Sequence, residues 1–135
     1  MKQLRLLLVV LAVAAGCFGA KAEKWSLRAD AVAICTYNDY YHQWNNWSQW
    51  ERCDVLVTIN GDNDKITIYS AEVQVYKIYD YRPARYDSDG DYRLEFKFRD
   101  QDGDYGTLYI LKKTSGRTEL YVVFNNVQWV YNVYY

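Results

Sequence analysis

Asp91-Tyr92-Arg93-Leu94-Glu95-Phe96-Lys97-Phe98-Arg99 alternates without a break, with Tyr92, Leu94, Phe96 and Phe98 on one side and Arg93, Glu95, Lys97 and Arg99 on the other. Successive side chains of an extended chain point to opposite faces, so this period marks one strand of an antiparallel sheet with a dry face and a wet one. Downstream the theme continues. Residues 106–112, 117–125 and 127–135 read as three further strands, parted by Thr114-Ser115-Gly116 and Asn125-Asn126, and Val127, Trp129, Tyr131, Val133 and Tyr135 keep strict register. In Leu120-Tyr121-Val122-Val123-Phe124 both faces are apolar, which predicts a strand covered on both sides or one that presents a contact surface.

Upstream, Val55, Val57 and Ile59 alternate with polar neighbours, as do Ile66 and Ile68. Asn60-Gly61 opens the link between these two runs and signals a hairpin. Residues 72–81 begin with Val73 and Val75 on one face and change phase to Tyr76 and Ile78, which a one-residue bulge explains. Residues 25–37 mix helix-forming Ala29, Ala31 and Ala33 with Val32, Ile34 and Thr36, and the supply of partner strands favours a strand. The fold class is therefore all-β: an antiparallel meander of about eight strands closing into a small barrel, with a two-sheet β-sandwich as the alternative. A barrel of this size holds one small ligand or is filled by its own side chains. The alternating C-terminal strand also resembles an outer-membrane barrel, but spanning takes roughly nine to eleven residues per strand. Residues 54–60 and 65–70 are too short for that.

The N-terminus reads as an export signal. Lys2 and Arg5 precede the apolar run 6–15, and Ala20-Lys21-Ala22 is an Ala-x-Ala cleavage site, so residues 1–22 form a signal peptide and 23–135 a single domain. A second reading is lipid anchoring, since Ala14-Ala15-Gly16-Cys17 resembles a bacterial lipoprotein box that acylates Cys17. Either way the protein is exported, to the periplasm or beyond. Removing Lys2, Arg5 and Lys21 from 16 basic residues leaves 13 against 17 acidic ones, a formal charge of −4. With no Lys/Arg cluster, that balance argues against nucleic acid as a partner. Cys35 and Cys53 then remain as an even pair in an exported chain, which predicts a disulfide, worth on the order of 3 kcal/mol by loop closure, with two buried reduced thiols as the alternative.

Between those cysteines lies the stretch that folding explains least. Residues 38–52 set Tyr40, Tyr41, Trp44, Trp47 and Trp50 among Asn, Gln and Ser. Aromatic faces stack on sugar rings and apolar ligands while amides supply directional hydrogen bonds, so these five residues are the candidate ligand-binding set. The competing expectation is that they fold back as a plug in one end of the barrel. Trp44, Trp47, Trp50 and Cys53 also resemble in spacing the opening of a thrombospondin type 1 repeat. That family is built on more cysteines than this chain has, and the likeness ends with those residues. Asn46-Trp47-Ser48 is formally a glycosylation sequon. His42, the single histidine, has no nucleophile or orienting acid beside it in sequence.

A near-repeat completes the inventory. Asp87-Ser88-Asp89-Gly90-Asp91-Tyr92 is echoed by Asp100-Gln101-Asp102-Gly103-Asp104-Tyr105. Asp-Gly suits the two positive-φ positions of a type I′ hairpin turn. Alternating acids also suit a hard cation, and Asp100, Asp102 and Asp104 match the opening of an EF-hand loop. The match then fails, because Tyr105 and Leu111 stand where Gly and Glu are needed. An enzyme would need acids such as Asp87, Asp89, Asp102 and Asp104 to converge in a cleft; no catalytic constellation is evident and no cofactor is implied.

Taken with the leader, Ile66-Thr67-Ile68-Tyr69-Ser70 and the Asp-Gly hairpins, the chain resembles the small tyrosine-rich secreted β proteins of gut Bacteroidota. That likeness implies a lipocalin-like barrel and no functional residue. The expected function is a non-enzymatic binding module for a carbohydrate or small apolar molecule. An envelope-associated domain with a protein partner and a calcium-binding β domain stand as alternatives.

Overall fold

A computed structural model describes residues 24–134. The expected leader with Cys17, residue 23 and Tyr135 lie outside them. Ten strands and no helix are present among the described residues: β1 (Lys24–Asn38), β2 (Gln43–Trp44), β3 (Glu51–Asn60), β4 (Lys65–Tyr69), β5 (Val73–Tyr81), β6 (Arg85–Tyr86), β7 (Tyr92–Asp100), β8 (Tyr105–Lys112), β9 (Thr118–Val123) and β10 (Val127–Tyr134). Eight of them follow one another around an antiparallel barrel in the order β1, β3, β4, β5, β7, β8, β9, β10, and β10 closes on β1. The short β2 and β6 lie off this ring, paired to β1 and β7. Closure removes the free strand edges that an open sheet would present to other chains.

The interior is occupied by the protein's own side chains. Val57, Ile66, Ile68, Phe98, Leu108, Leu120 and Val122 have no accessible surface, and Trp25, Leu27, Ile59 and Phe96 have almost none. Phe98 stacks on Tyr76 at 4.1 Å between ring centroids, with Phe124 edge-on at 5.5 Å. Its ring covers Gly106 on the facing strand, where an added Cβ would lie 2.6 Å from Phe98 Cζ. Of the two uses open to a small barrel, this one fills itself.

Three details differ from the sequence reading. The pairing of β4 with β5 runs unbroken from Lys65↔Lys77 to Tyr69↔Val73, so no bulge parts Val75 from Tyr76. Val73 and Val75 are outward residues, Gln74, Tyr76 and Ile78 point inward, and the irregularity falls later, between Ile78 and Asp80, with Tyr79 as the extra residue. The Asp-Gly hairpins are not type I′ turns either. Among the described residues of each, only the glycine has positive φ, 84° at Gly90 and 91° at Gly103, the signature of a type I turn followed by a glycine bulge. Residues 113–117 repeat the same form, with Gly116 at 98°.

The third is the cysteine pair. Cys35 and Cys53 carry free thiols. Cys53 Sγ reaches the Ala29 carbonyl and packs toward the core, whereas Cys35 Sγ lies against Asn45 O. Ala29 and Cys35 lie on the same strand, on the order of 20 Å apart at the rise of an extended chain. A disulfide needs Cα atoms within about 7 Å, so no bridge can form.

Candidate functional site on the outer wall

The aromatic stretch between the cysteines neither plugs the barrel nor hangs free. β1 outruns its partner β3, whose pairing ends at Val32↔Glu51, which would leave the β1 edge beyond Val32 unpaired. The stretch covers that edge. Trp44 and Gln43 pair with Tyr37 and Asn38, Asn45 N donates to Thr36 O at 2.9 Å, and Ser48 N donates to Ile34 O at 2.8 Å. Ser48 Oγ accepts from Ile34 N, and Asn45 Nδ2 donates to Thr36 Oγ1, both at 2.9 Å. The polar residues are thus the ones that tie the stretch to the strand, freeing the indoles to lie on the barrel's outer surface. The tip turns through residues 39–42, with Asn38 Oδ1 accepting from Tyr40 N and Tyr41 N and His42 at a φ of 54°.

Beneath this strap runs a cross-strand row: Ala33, Val130, Tyr121, Tyr109 and Glu95, on β1, β10, β9, β8 and β7. Ala33 and Val130 are buried although they face away from the barrel interior. Trp47 meets Tyr121 edge-on at 6.0 Å, Tyr121 stacks on Tyr109 at 4.6 Å, and the Arg93 guanidinium sits 3.7 Å over the Tyr109 ring. Beside them, Arg117 lies 4.7 Å over Trp50 and binds Glu119 Oε2 at 3.0 Å, while the Tyr121 hydroxyl donates to Glu119 Oε1 at 2.9 Å. This is the cover that the two-sided apolar strand required.

The electrostatics follow from this burial. Burial pushes the Glu95 carboxyl up, but the hydrogen bonds and charges of Arg93 and Lys97 outweigh it and hold the group below its ordinary value. Arg85 adds a third cation at 3.7 Å. Tyr121 is raised by burial and by its bond to Glu119, and Tyr109 by burial against the opposing pull of Arg93. Both phenols therefore stay neutral, with their ring faces packed against other aromatic and cationic groups.

Of the five candidate ligand residues, Trp47 and Trp50 are 41% and 43% exposed and fixed on this wall. Trp44 is half-buried, edge-on to Tyr37 at 5.3 Å. Tyr40 and Tyr41 touch each other at 4.9 Å on the exposed tip. The partners that complete the wall, Tyr109, Tyr121, Arg93 and Arg117, escape a reading by sequence window because they come from three other strands and a turn. Their one linear trace is that Arg93, Tyr109 and Tyr121 hold outward phases on successive strands.

The acidic repeats serve their turns. Asp87 Oδ1 accepts from Asp89 N and Asp91 N, and Asp100 Oδ1 likewise from Asp102 N and Asp104 N. The carboxylates that converge, within 4.8 Å, are those of Asp87, Asp89 and Asp91, whereas Asp100, Asp102 and Asp104 form no such group. Asp91 is already engaged by Thr114 N at 3.0 Å and Lys113 Nζ at 3.8 Å. The two turns stand at opposite ends of β7, on the order of 30 Å apart by strand rise, so Asp87 and Asp89 cannot share a cleft with Asp102 and Asp104.

No family model, curated protein or solved structure matches the chain.

Proposed function

We propose that the domain is a non-enzymatic binding module that holds a sugar ring or a flat apolar ligand on the outside of its barrel, against Trp47 and Trp50, with Tyr40 and Tyr41 at the margin. The observation that carries this reading is the pair of indoles, two-fifths exposed and each locked by an aromatic or cationic neighbour. An aromatic face fixed before the ligand arrives loses little rotamer freedom on binding. A filled interior directs the ligand to the surface. Export through the leader, and kinship with the small tyrosine-rich secreted barrels, belong to the same proposal.

The second reading, an envelope-associated protein-interaction domain, draws on the same wall being a sheet face. Titration with neutral oligosaccharides, followed by tryptophan fluorescence, separates the two. On the glycan reading the emission shifts or quenches. Trp47→Ala and Trp50→Ala then weaken binding by about 0.5 to 2 kcal/mol each while the fold persists. Unchanged affinity in both variants would overturn the reading.

A further inference from the structure

The outer wall treats its cations in two ways. Around Glu95, three of them are ion-paired with one carboxylate. Farther round the barrel, Lys65, Lys77 and Arg99 stand directly opposite one another on β4, β5 and β7, and the row ends at Tyr105 on β8. All three are exposed, and none is ion-paired among the described residues. Like charges opposed across strands destabilise a sheet, and a chain richer in acids than in bases had carboxylates to spare for them.

The row is also held in place. Lys77 Nζ donates to Asn63 O at 2.9 Å, and Arg99 Nε to Gly103 O at 3.4 Å with its guanidinium 5.6 Å from the Tyr105 ring. Tyr79, the bulged residue of β5, stands edge-on to Tyr105 at 5.6 Å. The two rings are 57% and 63% exposed, and with Lys77, Arg99, Gln101, Asp102 and Asp100, whose Oδ1 is taken up by Asp102 N and Asp104 N, they line an open cleft of about 700 Å³.

We propose that this cleft is a second binding site, separate from the tryptophan wall, and that it takes an acidic sugar residue, one carrying a carboxylate or a sulfate on a polyhydroxylated ring. The cations require an anion. The Tyr79 and Tyr105 rings suit the C–H face of a sugar, and Asp102 and Gln101 on the rim accept hydrogen bonds from hydroxyls. A phosphodiester strand meets the first two demands and fails the third, since it brings few hydroxyl donors to the rim.

The test is isothermal titration of the protein with four probes of matched length: an oligogalacturonate, a sulfated oligosaccharide, a neutral oligogalactoside and a single-stranded oligonucleotide. At least one acidic saccharide is expected to bind about tenfold or more tighter than the neutral one, more weakly as salt rises. Which of the two binds identifies the anion. Lys77→Gln, Arg99→Gln and Tyr105→Ala should each weaken that binding several-fold, and Lys112→Gln, an exposed lysine at the far end of β8, should leave it unchanged. The melting temperature of Lys77→Gln should hold or rise, because an opposed charge is removed; a purely structural lysine would lower it. Equal affinity for neutral and acidic saccharides, parental affinity in both cation variants, or an oligonucleotide bound as tightly as the best saccharide would each overturn the assignment.

Discussion

Phe98 on Tyr76 and Tyr121 on Tyr109 are two stacked aromatic pairs in one sheet, at 4.1 Å and 4.6 Å, on opposite faces of it. The inner pair packs among buried side chains, with Phe98 against the bare backbone of Gly106 and the Tyr76 hydroxyl donating to Gln74 Oε1. The outer pair lies between a guanidinium and an indole and hydrogen-bonds a carboxylate through Tyr121. Inside, closure leaves no room and geometry is set by volume. Outside, order comes from pairing each ring with a charge or another ring, so the surface stays wet on one side and fixed on the other. A stacked ring thus stabilises the fold in one place and leaves a usable face in the other.

Mutation of both layers tests that contrast. Phe98→Ala should destabilise the domain most, by about 3 to 5 kcal/mol in chemical denaturation, because a fully buried ring is lost. A loss under 1 kcal/mol would mean that the interior is not the stabilising layer. Glu95→Gln should come next, at about 2 kcal/mol near neutral pH, since it breaks charge-assisted bonds in a half-dry setting. Because the folded state holds this carboxyl below its ordinary value, its contribution is present above the normal glutamate range and drains away as pH falls through the lower folded value. The deficit of the variant should therefore close on acidification; a gap that stays constant with pH would show that charge is not its cause.

Trp47→Ala should cost only about 1 kcal/mol, the worth of one edge-on ring contact. A loss approaching that of Phe98→Ala would make the strap part of the core and erase the distinction. The smallest effect on stability concerns the thiols. Alkylation in denaturant without reductant should label both Cys35 and Cys53, and peptide mass spectrometry reads the sites. In the native protein Cys53 should react slowly, since burial and the nearby Asp30 and Asp54 raise its pKa and deplete the thiolate.

The fold was legible where one periodicity dominated. The alternation through Phe98 marks β7, and the regular run from Val127 marks β10, because a strand with one dry face has to announce itself in every second residue. The strap was legible only as an anomaly. Its aromatics stood out in residues 38–52, but their seat depends on β1 outrunning β3, a property of two strand lengths that no local window contains. The turn type failed for a similar reason. Asp-Gly permits two positive-φ residues without requiring them, and here Asp87 and Asp100 cap the backbone amides that favour the glycine-bulge form. Val73 and Val75 misled because an apolar residue on the wet face is common and carries no phase information.

β1 is the strand that carries both edges of this design. Along one side it meets β10, where Asn132 Nδ2 binds Asp30 Oδ1 at 2.8 Å across 102 residues of chain, and along the other it seats the strap. The meander hairpins link near neighbours and are expected to assemble on the microsecond scale of such units, about 1 to 10 μs. The junction of the first and last strands has the longest loop to close and should come late. Positioning of Trp47 over Tyr121 waits on that same junction, since the indole and the phenol are carried by the two sides of it. A chain emerging during synthesis therefore lacks the contact of Trp47 with Tyr121 until β10 arrives, and acquires it together with the closed barrel in a single late step.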